Sequence, residues 1–107
     1  FWRGIANYGG TPTEILENAE YRALFEPSLR ADFRLSETAV STGLPKLFCP
    51  ITAFGGADDP NPVPDELDDW AAATTSDFAK HVLPGGHFFL RDAGDDIMRV
   101  VRDALIA

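Results

Sequence analysis

The sequence predicts an α/β fold in which helices precede two parallel strands joined by a crossover helix. Three observations lead there. The nearly continuous apolar run over residues 47–54 reads as a strand covered on both faces. A second short run, residues 78–83, follows a segment of helical spacing, and strands separated by a helix imply a parallel pair with a right-handed crossover. Ahead of both, residues 11–40 carry repeated helix signals.

Taken in order, Asn7, Tyr8, Gly9 and Gly10 read as a loop, because paired glycines favour turns. Thr11, Pro12 and Glu14 then announce a helix. Thr11 suits the N-cap, Pro12 the first helical position, and Glu14 the third, which completes a capping box. Ile15 and Leu16 are its apolar residues, and it is short because Asn18 can start a second helix running to about residue 25. Pro27 separates that helix from a third, from residue 28 to about residue 40, with Leu29, Phe33 and Val40 roughly on one face. Gly43, Leu44 and Pro45 break the pattern. Within the first strand Pro50 has no ladder donor and fits only the strand's entry.

Gly55, Gly56, Pro60 and Pro62 make residues 55–63 a loop. Pro64 takes the first position of the crossover helix, in which Leu67, Trp70, Ala71 and Thr74 fall at helical spacing. Asp65, Glu66, Asp68 and Asp69 crowd its N-terminal half, where the helix dipole favours negative charge; a solvated helix start accounts for them. Pro84, Gly85 and Gly86 end the second strand. Asp92 and Asp95 can cap a last helix whose apolar stripe is Ile97, Val100, Val101, Ala104 and Leu105. Two strands cannot make a stable doubly covered sheet alone. Together with a start at Phe1 rather than Met, this leads us to expect a segment of a longer chain.

Composition narrows the function. The chain has 107 residues, 45% hydrophobic and 24% charged, which suits a globular domain or part of one. Its formal net charge of -8 argues against nucleic acid and anionic membranes, whose phosphates need a basic face. No apolar run approaches the roughly 20 residues of a membrane-spanning helix, and the N-terminus lacks the apolar stretch of a signal peptide. The single cysteine, Cys49, excludes an intrachain disulfide; a reducing, cytoplasmic compartment is expected. Cys49 itself reads as a core thiol at a strand start.

The chemistry concentrates in the two loops after the strands. In a parallel sheet these lie on one edge, where ligands bind. The first carries Asp58 and Asp59 and the second carries His87. A carboxylate there can accept the Nδ1 proton of an imidazole and fix its tautomer, while the other ring nitrogen takes a proton from a nucleophile. Asp59, three residues after Gly56, is preferred over Asp58 as that acid. The competing account of either aspartate is a turn residue bonding its own backbone, and of His87 a loop histidine without chemistry. Phe88, Phe89 and Leu90 would anchor the base of His87. His81, inside the second strand, reads as structural. No paired ligand spacing supports a metal site, and no cofactor is expected. The serines are Ser28, Ser36, Ser41 and Ser76; none stands in Gly-x-Ser-x-Gly, the elbow that presents a hydrolase nucleophile.

These segments resemble the type II, or editing, thioesterases of polyketide and nonribosomal peptide biosynthesis. The resemblance is carried by Gly9-Gly10-Thr11-Pro12 with Glu14, Leu29-Arg30-Ala31-Asp32-Phe33 with Glu37, and residues 49–56 with Asp58-Asp59-Pro60. It continues through Leu67, Trp70, Thr74-Thr75 and Pro84-Gly85-Gly86-His87-Phe88-Phe89-Leu90. It implies the C-terminal part of an α/β-hydrolase fold. Residues 1–42 would be the tail of a helical lid and the return to the core, and residues 43–107 the core itself. It also implies that Asp59 and His87 are acid and base of a Ser-His-Asp triad whose serine lies outside these residues. The substrate would be an acyl group on the phosphopantetheine arm of an acyl or peptidyl carrier protein, stalled or aberrant. Ile15, Leu16, Leu24 and Phe25 would line the acyl path or pack the helices. Val63 stands where relatives commonly place a capping serine. Two alternatives stay open: another esterase or chain-terminating thioesterase on the same scaffold, and a non-catalytic interaction module. By itself the segment is expected to be inactive.

Overall fold

A computed structural model describes residues 1–39 and 43–106. The elements are α1 (Trp2–Tyr8), α2 (Thr13–Glu17), α3 (Ala19–Thr38), β1 (Ile51–Gly56), a 3-10 helix (Pro64–Ala73), β2 (Phe78–Leu83), a short 3-10 turn (Phe89–Arg91) and α4 (Gly94–Ile106). β1 and β2 pair in parallel, from Ile51 opposite Phe78 to Gly56 opposite Leu83.

The helical region departs from the predicted pattern in three places. Trp2–Tyr8 is a helix, where a loop was expected at Asn7 and Tyr8; the left-handed Gly9 (φ 75°) closes it and donates its N–H to the Ala6 carbonyl. Thr11 makes no cap, because α2 starts one residue later, at Thr13, with Pro12 at its N-cap. The second and third helices are one. Asn18 caps α3, its side chain accepting from the N–H groups of Glu20 (2.9 Å) and Tyr21 (3.2 Å). The helix then runs through Pro27 to Thr38. An interior proline costs about 3 kcal/mol and one backbone bond. Here good helix formers such as Ala23, Leu24, Leu29, Arg30 and Ala31 flank it on both sides. Val40, assigned to this helix from sequence, lies outside the described residues, as does Ser41.

The first strand is shorter than the apolar run. Pro50 cannot donate, so the ladder begins at Ile51. Leu47 instead makes an isolated parallel bridge to Thr74, its N–H bonding the Ala73 carbonyl at 2.9 Å. Cys49 is therefore exposed rather than a core thiol. Thr74 is not helical: it is extended, buried, and donates its hydroxyl to the Cys49 carbonyl at 2.6 Å. The crossover is a 3-10 helix instead of an α-helix, and Val63 at its N-cap supplies no side-chain bond. Asp92 closes the preceding 3-10 turn and caps nothing in α4, whose first bond runs from Ile97 N–H to the Ala93 carbonyl.

The core is small. Leu67 reaches under Gly55 of β1, Ile5 is buried in α1, and Ala93 sits before α4. The radius of gyration is 16.8 Å, against about 13 Å for a compact chain of this length. Phe48, Trp70, Leu105 and Ile106 are exposed, and of the α4 stripe only Ile97 and Val100 are half-buried. A parallel sheet is normally covered on both faces; the apolar faces here are uncovered by the described residues. Two features of this open frame position the site: the parallel strands end side by side, and α1 and α3 stand across from their tips.

Candidate active site

The close approach of the two strand-end loops begins at Gly56. A Cβ there would collide with the carbonyl oxygens of Gly85 and Gly86, so only glycine fits. The loops are then stitched by backbone bonds: Ala57 N–H to the Leu83 carbonyl (2.8 Å) and Asp58 N–H to the Gly85 carbonyl (2.9 Å). Gly85 takes φ 119°, which an L side chain rarely adopts.

This stitching brings Asp59 to His87. Nδ1 of His87 lies 3.0 Å from Oδ2 and 3.1 Å from Oδ1 of Asp59. The Asp59 side chain is 3% exposed and that of His87 37%, so the carboxylate is buried behind a ring that opens to solvent. Asp58 is exposed, and its side chain makes no hydrogen bond to His87. The turn role and the histidine contact coexist in Asp59: Oδ1 also accepts the Asn61 N–H at 2.9 Å, an Asx turn. The acceptor carboxylate requires Nδ1 to carry the proton, which leaves Nε2 as the lone-pair nitrogen.

His87 faces a cleft of about 470 Å³ between the strand tips and helices α1 and α3. Ile5, Leu29, Phe33 and Phe88 give it apolar walls; Asp32, Ser36 and Glu37 line it from α3. The cleft is not lined by Ile15, Leu16, Leu24 or Phe25, assigned to the acyl path from sequence. Leu24 and Phe25 are exposed: Phe25 shares the helix face of Leu29 and Phe33, but the cleft takes its walls from the later turns of α3. Ser36 shares the cleft with His87, but among the described residues no hydrogen bond joins them.

Of the expected anchor, only Phe88 meets the ring, edge to face at 5.1 Å; Leu90 is exposed. A second aromatic contact comes from Tyr8 of α1, edge to face on His87 at 4.5 Å. Sequence reasoning placed Tyr8 in a loop and did not single it out. It also passed over Asn61, whose amide donates to the Tyr8 hydroxyl at 3.2 Å. His81 lies away from this edge, stacked on its register partner Phe54 at 5.4 Å. Among the described residues no group of three or more His, Cys, Asp or Glu is placed to hold a metal ion, and no helix is long and apolar enough to cross a membrane.

The sequence model of the thioesterase domain matches residues 2–105. The chain belongs to the thioesterase domain family. The thioesterase PikA5 of Streptomyces venezuelae is 32% identical over 106 residues, which cover 99% of this chain and 38% of that protein. The linear gramicidin dehydrogenase LgrE of Brevibacillus parabrevis is 32% identical over 108 residues, covering 98% of this chain and 41% of that protein. Its name speaks of another reaction, whereas the family model and PikA5 agree on a thioesterase. The type II thioesterase BorB from the borrelidin biosynthetic cluster superposes with a TM-score of 0.75 at 31% identity, over 95% of this chain and 42% of that one. The chain thus spans about two fifths of the length of the relatives it matches. As in BorB, its parallel strands and crossover belong to the α/β-hydrolase type of thioesterase.

Proposed function

We propose that the intact protein hydrolyses acyl thioesters carried on the phosphopantetheine arm of carrier proteins in polyketide or nonribosomal peptide synthesis. Asp59 and His87 would serve as acid and base of a triad whose serine comes from outside these 107 residues. The observation that carries this reading is the double approach of the buried Asp59 carboxylate to Nδ1 of His87 at the mouth of an apolar-walled cleft.

The chemistry follows from that geometry. Nε2 of His87 takes the serine proton as Oγ attacks the thioester carbonyl, and Asp59 stabilises the imidazolium that forms. The imidazolium returns its proton to the departing pantetheine sulfur as the C–S bond breaks. Water then attacks the acyl-serine, its proton passing to Nε2 and on to the serine oxygen, which releases a carboxylic acid. The cleft walls Ile5, Leu29, Phe33 and Phe88 suit an aliphatic acyl chain.

The test is turnover of an acyl-carrier thioester by the intact protein and its His87→Ala variant. Loss of general-base catalysis lowers kcat by about 10²–10⁴-fold; full turnover by the variant would end the triad reading. Comparing acyl-carrier, acyl-coenzyme and simple ester substrates decides the substrate class, since a carrier-directed enzyme favours the first.

A further inference from the structure

The geometry points to Tyr8 and Asn61 as positioning residues for His87, joined in a tie that holds the imidazole from the helical side of the cleft. This inference rests on the reading of His87 as the general base.

Four residues form a closed circuit, three links through side chains and one through the Asn61 backbone. The Asp59 carboxylate meets His87 Nδ1 at 3.0 Å. Its Oδ1 accepts the Asn61 backbone N–H at 2.9 Å. The Asn61 side-chain amide donates to the Tyr8 hydroxyl at 3.2 Å. The Tyr8 ring returns to the His87 ring at 4.5 Å, inclined by 63°. The circuit draws on three separate segments: the end of α1, the loop after β1 and the loop after β2.

Each link restricts a different freedom. A carboxylate reached by one ring nitrogen fixes where Nδ1 sits but leaves the ring free to tilt about that contact. Edge-to-face packing against Tyr8, together with Phe88, removes the tilt. Tyr8 in turn is held at both ends: its ring packs on Phe33 of α3 at 6.0 Å, and its hydroxyl receives the Asn61 amide. The end of α1 is seated beside this point, because Gly10 packs so closely beneath the Phe88 ring that a Cβ would overlap it. Asn61 is the hinge of the arrangement. Its backbone orients the acid and its side chain orients the aromatic cover, so the same residue fixes His87 from two directions.

The experiment uses the intact protein, with steady-state turnover of an acyl-carrier thioester and the NMR signal of the His87 Nδ1 proton as readouts. Tyr8→Phe removes only the hydroxyl and Asn61→Ala only the amide. Each should lower kcat roughly 2- to 10-fold with KM unchanged, the size of one lost hydrogen bond. The double variant should be no slower than either single one, since both open the same tie. Tyr8→Ala should cost more, about 30-fold, and should broaden or erase the Nδ1 proton signal while the backbone amide spectrum stays native-like. Additive losses in the double variant, a change in KM alone, wild-type turnover in both single variants, or an undisturbed Nδ1 signal in Tyr8→Ala would overturn it. If His87→Ala is inactive while the Tyr8 and Asn61 variants behave like wild type, only this inference fails. If His87→Ala is itself active, the triad reading fails and takes this one with it.

Discussion

Oδ2 of Asp59 and Nδ1 of His87 stand 3.0 Å apart although 28 residues separate them in the chain. One parallel βαβ unit closes that gap, since both residues leave strand tips that point the same way. The contact makes a direct prediction. Asp59→Asn keeps the shape of the acid but loses the charge that stabilises an imidazolium and selects the tautomer. Its kcat for thioester hydrolysis should fall by about 10⁴-fold with little change in KM, measured by release of free thiol.

The approach of the two loops at Gly56 is steric and concerns stability. In Gly56→Ala the new methyl meets backbone oxygens of Gly85 and Gly86, which cannot swing aside as a side chain would. A loss of at least about 2–3 kcal/mol is expected, read as a lower denaturation midpoint. Activity should fall as well, because the same displacement parts Asp59 from His87.

Thr74 is a buried polar residue whose hydroxyl donates to the Cys49 carbonyl at 2.6 Å and accepts the Ser76 N–H at 3.0 Å. Thr74→Val preserves the shape and leaves both backbone groups without that partner. The expected cost is about 1–3 kcal/mol, visible in chemical denaturation, with Thr74→Ser recovering most of it.

At the start of α3 the Asn18 side chain accepts two backbone N–H groups. Asn18→Ala should destabilise the helical region by about 1 kcal/mol, whereas Asn18→Asp should be neutral or slightly stabilising because the dipole favours negative charge there. Hydrogen exchange at Glu20 and Tyr21 is the local measurement: faster in the first variant, unchanged in the second.

By contrast, the Lys80–Asp68 pair (2.8 Å) joins β2 to the crossover helix with Asp68 60% exposed. Asp68→Asn should change stability by less than about 1 kcal/mol, and less still at high salt, because exposed pairs are screened.

Much of this was legible without coordinates. The strand β2, the crossover after Pro64, the loop at Gly85–Gly86 and the last helix all announce themselves through local signals: apolar periodicity, proline at a helix start, glycine at a turn; Gly55 and Gly56, read as loop, instead end β1. Placing Asp59 and His87 on one edge needed only the rule that parallel strands end together. What escaped was either overridden or non-local. Pro27 signals a break, yet the helix formers on both sides carry α3 through it. Phe48 and Leu47 look like strand core, yet Pro50 delays the ladder and leaves Phe48 88% exposed.

The sequence by itself determined the succession of strand, crossover, strand and last helix and which loops carry the carboxylate and the imidazole, because those properties depend on neighbours a few residues away. Only the tertiary structure decided which cleft walls face His87 and that Tyr8 and Asn61 reach it. Those contacts join α1 to two distant strand tips, and no periodicity along the chain records a distance between segments that meet only after folding.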